Sequence, residues 1–175
     1  MLTATPTLFE TGTWHVDPER SYLGFAVRHL RVSTVHGRFH AFSGKLTQTG
    51  DGVKIAGRVA TDSVDTGDAV RDDRLRNGFF HCDEHPLIEL GARCTTPAAD
   101  EDWIVAGTLG MCGVVRPVVL RAMAEPLRDD AVRVVLAGAI KRSEFGLEWA
   151  ALRDAGRLLV ADTVRLSAGI VLVAR

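Results

Sequence analysis

In SYLGFAVRHL, residues 21–30, apolar and polar positions alternate: Leu23, Phe25, Val27 and His29 fall on one face, Tyr22, Gly24, Ala26 and Arg28 on the other. A period of two suits a β-strand with one buried face, because successive side chains leave a strand on opposite sides. Similar short runs follow at residues 87–94, 103–111, 117–124, 132–141 and 160–173. In GDGVKIAGRVATDSV, Asp51-Gly52 makes a turn before a strand through Ile55, Gly57 and Val59. The segment RHLRVSTVHGRF, residues 28–39, reads as strand, turn and strand, and Phe39 and Phe42, three apart, share a face only if the strand bulges between them. The total is about eight strands with Gly, Pro and Asp punctuation.

One stretch reads as a helix: TGDAVRDDRLRNGFF, with Asp68 as cap, Val70, Arg74 and Leu75 at helical spacing, and Asn77-Gly78 as its end. RSEFGLEW, residues 142–149, can hold one more helical turn opened by Ser143. Alternating parallel units need a helix between successive strands, and these strands have none. The pattern therefore predicts an all-β, eight-stranded antiparallel barrel with one inserted helix near residues 68–77, closure removing the exposed edges. Glycine and alanine recur in the apolar strands, at Gly107, Gly110, Ala137, Gly138, Ala139, Ala168 and Gly169. Small inner residues leave space, and a barrel of this size has room for one small ligand in an apolar central cavity.

A chain of 175 residues supplies one core. Residues 1–13 read as a flexible lead-in and 14–175 as the barrel domain. Net charge of −1, with arginines scattered along the chain, argues against nucleic acid as a partner. No apolar run is long enough to cross a bilayer as a helix, and the first residues do not read as a secretory signal. Cys82, Cys94 and Cys112 are odd in number with no CxxC pair, so reduced thiols in the cytoplasm are expected.

The pieces WHVDPERSYLGFAVRHLRVSTVHGRFHAFSG (14–44), VDTGDAVRDDRLR (64–76), FFHCDEHPLIEL (79–90), GVVRPVVL (113–120), IKRSEFGLEW (140–149) and the closing LLVADTVRLSAGIVLV resemble, in order, the YceI-like, polyisoprenoid-binding family of bacterial proteins. The resemblance implies a lipocalin-like barrel holding a long isoprenoid or other lipid, and it implies no catalytic residue. The chain departs from that family at Gly110-Met111-Cys112-Gly113, where a threonine and a histidine or basic residue are expected before the glycine, and at Val115 and Val119, positions often threonine. These departures make the region less polar, so the headgroup bound by relatives need not be the one bound here.

The residues expected to touch a lipid are Phe25, Val27, His29, Phe39, Phe42, Leu75, Phe79, Leu109, Leu136, Phe145 and Trp149. His29 shares the inward face with Phe25 and Val27, where it either meets a headgroup or is a buried neutral histidine bonded to a carbonyl. Arg71 and Arg74 either face solvent on a charged helix or greet a phosphate or carboxylate at the barrel mouth, for which the guanidinium fork is suited. His36 and His40 lack a third ligand, and His81, Asp83, Glu84 and His85 precede Pro86 in what reads as an exposed turn, so no metal is expected. No G-x-S-x-G elbow and no phosphate loop occur.

These features predict a non-enzymatic protein, without cofactor, that binds, sequesters or transports a polyisoprenoid, quinone or fatty-acid-like lipid, with a homodimer left open. An enzyme acting on a bound apolar substrate through His29 and an arginine is the first alternative. An interaction module with a filled barrel is the second.

Overall fold

The structure, a computed structural model, describes residues 7–29, 32–98, 101–148 and 160–174. Strand β1 (Gly12–His29) turns back into β2 (Ser33–Phe39), and after a break at His40 and Ala41 the same line continues as β3 (Phe42–Thr49). There follow β4 (Gly52–Ala60), the short β5 (Val64–Asp65), β6 (Leu87–Cys94), β7 (Trp103–Met111), β8 (Val114–Pro126), β9 (Ala131–Lys141) and β10 (Val160–Ala174). Neighbours pair antiparallel in the order β1, β3, β4, β6, β7, β8, β9, β10, and β10 pairs again with β1. The chain is thus the closed eight-stranded antiparallel barrel that the alternation predicts. β2 extends the β3 position beside the second half of β1, and β5 pairs with β2 at Phe39 and Val64.

The break at His40–Ala41 is the irregularity that the Phe39/Phe42 spacing requires. The His40 ring there bonds Asp65 at 2.8 Å on the surface, and His36 is exposed. Strand β1 starts nine residues before Ser21, the first residue of the alternating stretch read from sequence. Its first half was obscured because the register shifts between Asp17 and Tyr22. Pro18 within that irregularity has no N–H to give, and the Ser21 hydroxyl closes it by accepting the Val171 N–H at 2.8 Å. Pro117 lies inside β8 because its neighbour β9 pairs only with residues 121–126. The β7–β8 turn is two residues, Cys112 and Gly113, both with positive φ (52° and 75°), as a tight hairpin requires.

Helix α1 spans Ala69–Arg74, capped by Asp68, whose side chain accepts the Arg71 N–H. It does not stop at Asn77-Gly78. A wider, π-type stretch carries it through Leu75–Phe80 until His81 turns left-handed. The extra turn seats Phe80, 6% exposed, against Phe39, and the Phe80 carbonyl accepts the Cys112 thiol. Burial of one aromatic ring outweighs the stop signal. The turn after β9, Arg142–Phe145, forms as expected, but Ser143 does not cap it: its hydroxyl and N–H both bond Asp162.

One barrel end is closed. Phe9, 1% exposed, stacks edge-on against Trp14 (centroids 5.4 Å) and touches Trp103 (6.4 Å), and Thr7 bridges to Ala98. Residues 7–13, read as part of a lead-in, therefore supply the floor and the start of β1. α1 lies at the opposite end, with the β7–β8 hairpin and the segment that follows β4, where Cys112 bonds Phe80 and Arg76 bonds the Asp62 and Val64 carbonyls.

Candidate functional site

The barrel encloses a cavity of about 440 Å³ with an almost wholly apolar wall. Sites for small organic ligands span roughly 300–1,000 Å³. Every strand of the eight-stranded ring, and β2, contributes through inward-facing alternate positions: Phe25 and Val27 from β1, Phe39 from β2, Phe42 and Leu46 from β3, Ile55 from β4, Leu90 from β6, Val105 and Leu109 from β7, Leu120 from β8, Leu136 from β9 and Leu166 from β10. The recurrent glycines do not create this space. At Gly107 an added Cβ would lie 2.2 Å from the Gly91 carbonyl oxygen, and at Gly169 it would lie 2.7 Å from the Tyr22 ring. Those positions are small because a neighbouring strand or ring fills them.

From the wall to the helix runs a chain of rings, Phe25–Phe39 (5.6 Å), Phe39–Phe80 (6.0 Å) and Phe80–Phe79 (5.2 Å). With Leu75 they form the apolar underside of the cover. Four polar lining residues, His29, Thr66, Arg71 and Arg142, are at this end, while Ser43, Lys45, Arg58 and Ser167 border the cavity from exposed positions on β3, β4 and β10. His29 lies on the wall, half-buried, and its ring has no hydrogen bond to the described residues. The Arg71 guanidinium also faces the cavity. Its Nε donates to Thr66 Oγ1 at 2.7 Å and its Nη2 to the Thr66 carbonyl at 3.0 Å, while Nη1 has no partner among the described residues. Thr66 is fixed in turn, since its N–H and hydroxyl donate to the buried Asp72 at 2.9 and 2.6 Å. This relay aims Arg71 without using up its fork.

Arg142 and Thr66 are lining residues that sequence reasoning missed. Arg142 spends Nε, Nη1 and Nη2 on the carbonyls of Ala161, Leu147 and Val160, so it holds the rim together. Its only sequence signal is a basic residue at a strand end, which is too common to be diagnostic. Of the remaining expected site residues, Leu75, Phe79 and Leu109 line the cavity. Phe145 and Arg74 do not. Phe145 is 1% exposed and packs within the core under its own turn, while Arg74 is on the solvent face of α1. Trp149 lies outside the described residues.

The same end is tied down by carboxylates. A hydrogen bond from His40, then one from the Gly67 N–H, holds the Asp65 carboxyl below its ordinary value, and the Arg71 N–H does the same for Asp68. Burial opposes ionisation of Asp162, but the bonds from Ser143 with Arg142 and Lys141 outweigh it and its pKa is also lowered. Burial pushes the Cys94 and Cys112 thiols up. Among the described residues, no three His, Cys, Asp or Glu side chains converge as a metal-ligand set, and no helix is long and apolar enough to cross a membrane.

The sequence profile of the YceI-like domain matches residues 14–172. The chain belongs to the YceI-like family. A UPF0312 protein of Pseudomonas paraeruginosa is 31% identical over 141 residues, covering 74% of this chain and 72% of the relative. A UPF0312 protein of Shewanella denitrificans is 28% identical over 150 residues, covering 82% and 78%. The YceI-like barrel also superposes on Burkholderia cenocepacia BcnA (TM-score 0.79, 20% identity, covering 89% of this chain and 98% of the other). A polyisoprenoid binding domain from Saccharophagus degradans, implicated in plant cell wall breakdown, gives a TM-score of 0.78 at 20% identity, covering 95% and 100%. At such identities the structural likeness establishes the YceI-like fold.

Proposed function

We propose that this chain is a non-enzymatic binder that sequesters or carries an isoprenoid or similar long-chain lipid. The observation that carries the reading is a closed barrel with an apolar interior and, at the end covered by α1, the polar lining residues His29, Thr66, Arg71 and Arg142. The YceI-like membership and the likeness to the polyisoprenoid binding domain of Saccharophagus degradans support the same ligand class. In this reading Phe25, Val27, Phe39, Phe42, Leu75, Phe79, Leu109 and Leu136 contact the chain of the lipid, and Arg71 with His29 receives its headgroup. Three free cysteines agree with a reducing compartment.

The energetics suffice. At about 0.8 kcal/mol per buried methylene, one five-carbon unit contributes roughly 3–4 kcal/mol before ordering costs. At about 30 Å³ per water-sized group, the cavity accommodates on the order of fifteen heavy atoms, or three such units. A longer chain would run out past the helix.

Organic extraction of the purified protein, followed by mass spectrometry, tests the proposal. The expected result is a near-stoichiometric isoprenoid or fatty-acid-like lipid, or its uptake when farnesol is supplied to lipid-free protein. A folded barrel that yields no lipid and takes up none would contradict it and favour a filled interaction module.

A further inference from the structure

Large apolar side chains scattered singly over a surface need no explanation, but a contiguous patch does. Nine are exposed among the described residues, and six of them, Tyr22, Ile104, Val115, Val119, Met123 and Val135, lie on the outside of one side of the barrel. The register makes them neighbours. The Tyr22 ring lies across Gly169, Gly169 pairs with Val135, and Val135 pairs with Met123. Along β8 the outward positions run Val115, Pro117, Val119, Arg121 and Met123, with Ala106 and Ile104 of β7 opposite Val119 and Arg121. The other side of the barrel is charged: Lys45 on β3, Lys54 and Arg58 on β4, and Glu89 and Arg93 on β6 are exposed. A lipid-facing belt runs all round a transmembrane barrel, and this patch is confined to one side.

We propose that this face, centred on Val119, joins two copies of the chain about a two-fold axis. The six side chains are 45% to 61% exposed. At about 150–250 Å² of full surface for a large side chain, they present roughly 600 Å², the upper end for the largest patch of a typical monomer. With the exposed Ala106, Pro117 and Ala139 the face approaches the roughly 800 Å² per partner of a stable interface. Its charges are already matched within the chain, Arg121 to Asp102 at 2.7 Å and Arg133 to Glu125 at 3.3 Å. The face therefore offers no excess charge to select a basic or acidic partner or an anionic membrane. A surface that is apolar and neutral is complementary to itself, which is what an isologous contact requires. An axis crossing β8 at Val119 brings Met123 of one copy over Val115 of the other, with the two sheets stacked about 10 Å apart.

Sedimentation equilibrium of the full chain, from micromolar to submillimolar concentration, tests the proposal. A particle of twice the chain mass is expected. Val119→Asp sets two carboxylates against each other on the axis and should weaken the dimer by ~100-fold or more. Met123→Lys should weaken it as well, whereas Leu87→Lys, at an exposed apolar residue off this face, should leave it unchanged. Circular dichroism melts check that each variant keeps the folded barrel, which substitution at these solvent-facing positions should preserve. A native chain that stays monomeric throughout overturns the inference, and so does a dimer that both Val119→Asp and Met123→Lys retain when folded. A folded native monomer that floats with neutral phosphatidylcholine vesicles overturns it in favour of a bilayer as the occupant. Lipid uptake into the cavity is read by a different measurement, so the lipid-binding proposal stands or falls separately.

Discussion

Gly37 on β2 faces Phe25 on β1, and a Cβ built there would lie 2.2 Å from Phe25 Cζ. The ring lies flat across the glycine, which gives the wall its first aromatic and places Phe25 within reach of Phe39. Gly37→Ala must therefore turn the ring away, and the nearest space is the cavity. The expected cost is about 1–3 kcal/mol of stability, as for other overpacked cores, together with weaker uptake of the longest lipids. Urea denaturation and binding to the same preparation check both; an unchanged midpoint would show that the ring has another place to go. The direction of Phe25 was legible from alternation, but its partner was not. Nothing in VHGRF says that the glycine is small to receive a ring from the next strand, because that follows from register.

Among the elements, the cover combines features that sequence reveals with others that it conceals. Its start was legible, since Asp68 is a local cap, and β6 and β7 have the bounds that their periodicity predicts. Its end was not, because the burial of Phe80 against Phe39 is a tertiary effect that overrides Asn77-Gly78. Arg74, though in helical register, faces water, while Arg71, held by Thr66, faces the cavity. The attachments of the cover carry a pH dependence with a definite sign. Asp65 and Asp68 have folded pKa values below their unfolded ones, so their contribution is present above the unfolded value near 4 and is lost as pH falls through the folded values. The thermal midpoint should drop on acidification below about pH 4, and the drop should be shallower in Asp65→Asn/Asp68→Asn. Calorimetry between neutral and acidic pH checks this; an equal slope in the double variant would assign acid sensitivity to other carboxylates.

For the whole molecule, closure does two things at once. It leaves no unpaired edge around the ring of eight strands, and it forces the inward alternate positions of every strand to share one interior. That is why barrel and cavity could be foreseen from a period of two, although of the small residues foreseen to leave the space only Ala137 and Ala168 line it. A chain held in such an interior gains in proportion to its buried length, whereas a headgroup contact adds a roughly fixed amount. The central claim, that this is a lipid-filled barrel, thus makes a graded prediction. The decisive measurement is the set of binding isotherms for one series of prenyl or acyl chains of increasing length, on the native chain, Val27→Trp and Arg71→Ala. Affinity should rise with length and level off once the cavity is full. Val27→Trp should bring that plateau to a shorter chain, and Arg71→Ala should weaken every length by a similar factor. Affinity independent of chain length on an intact barrel would contradict the account.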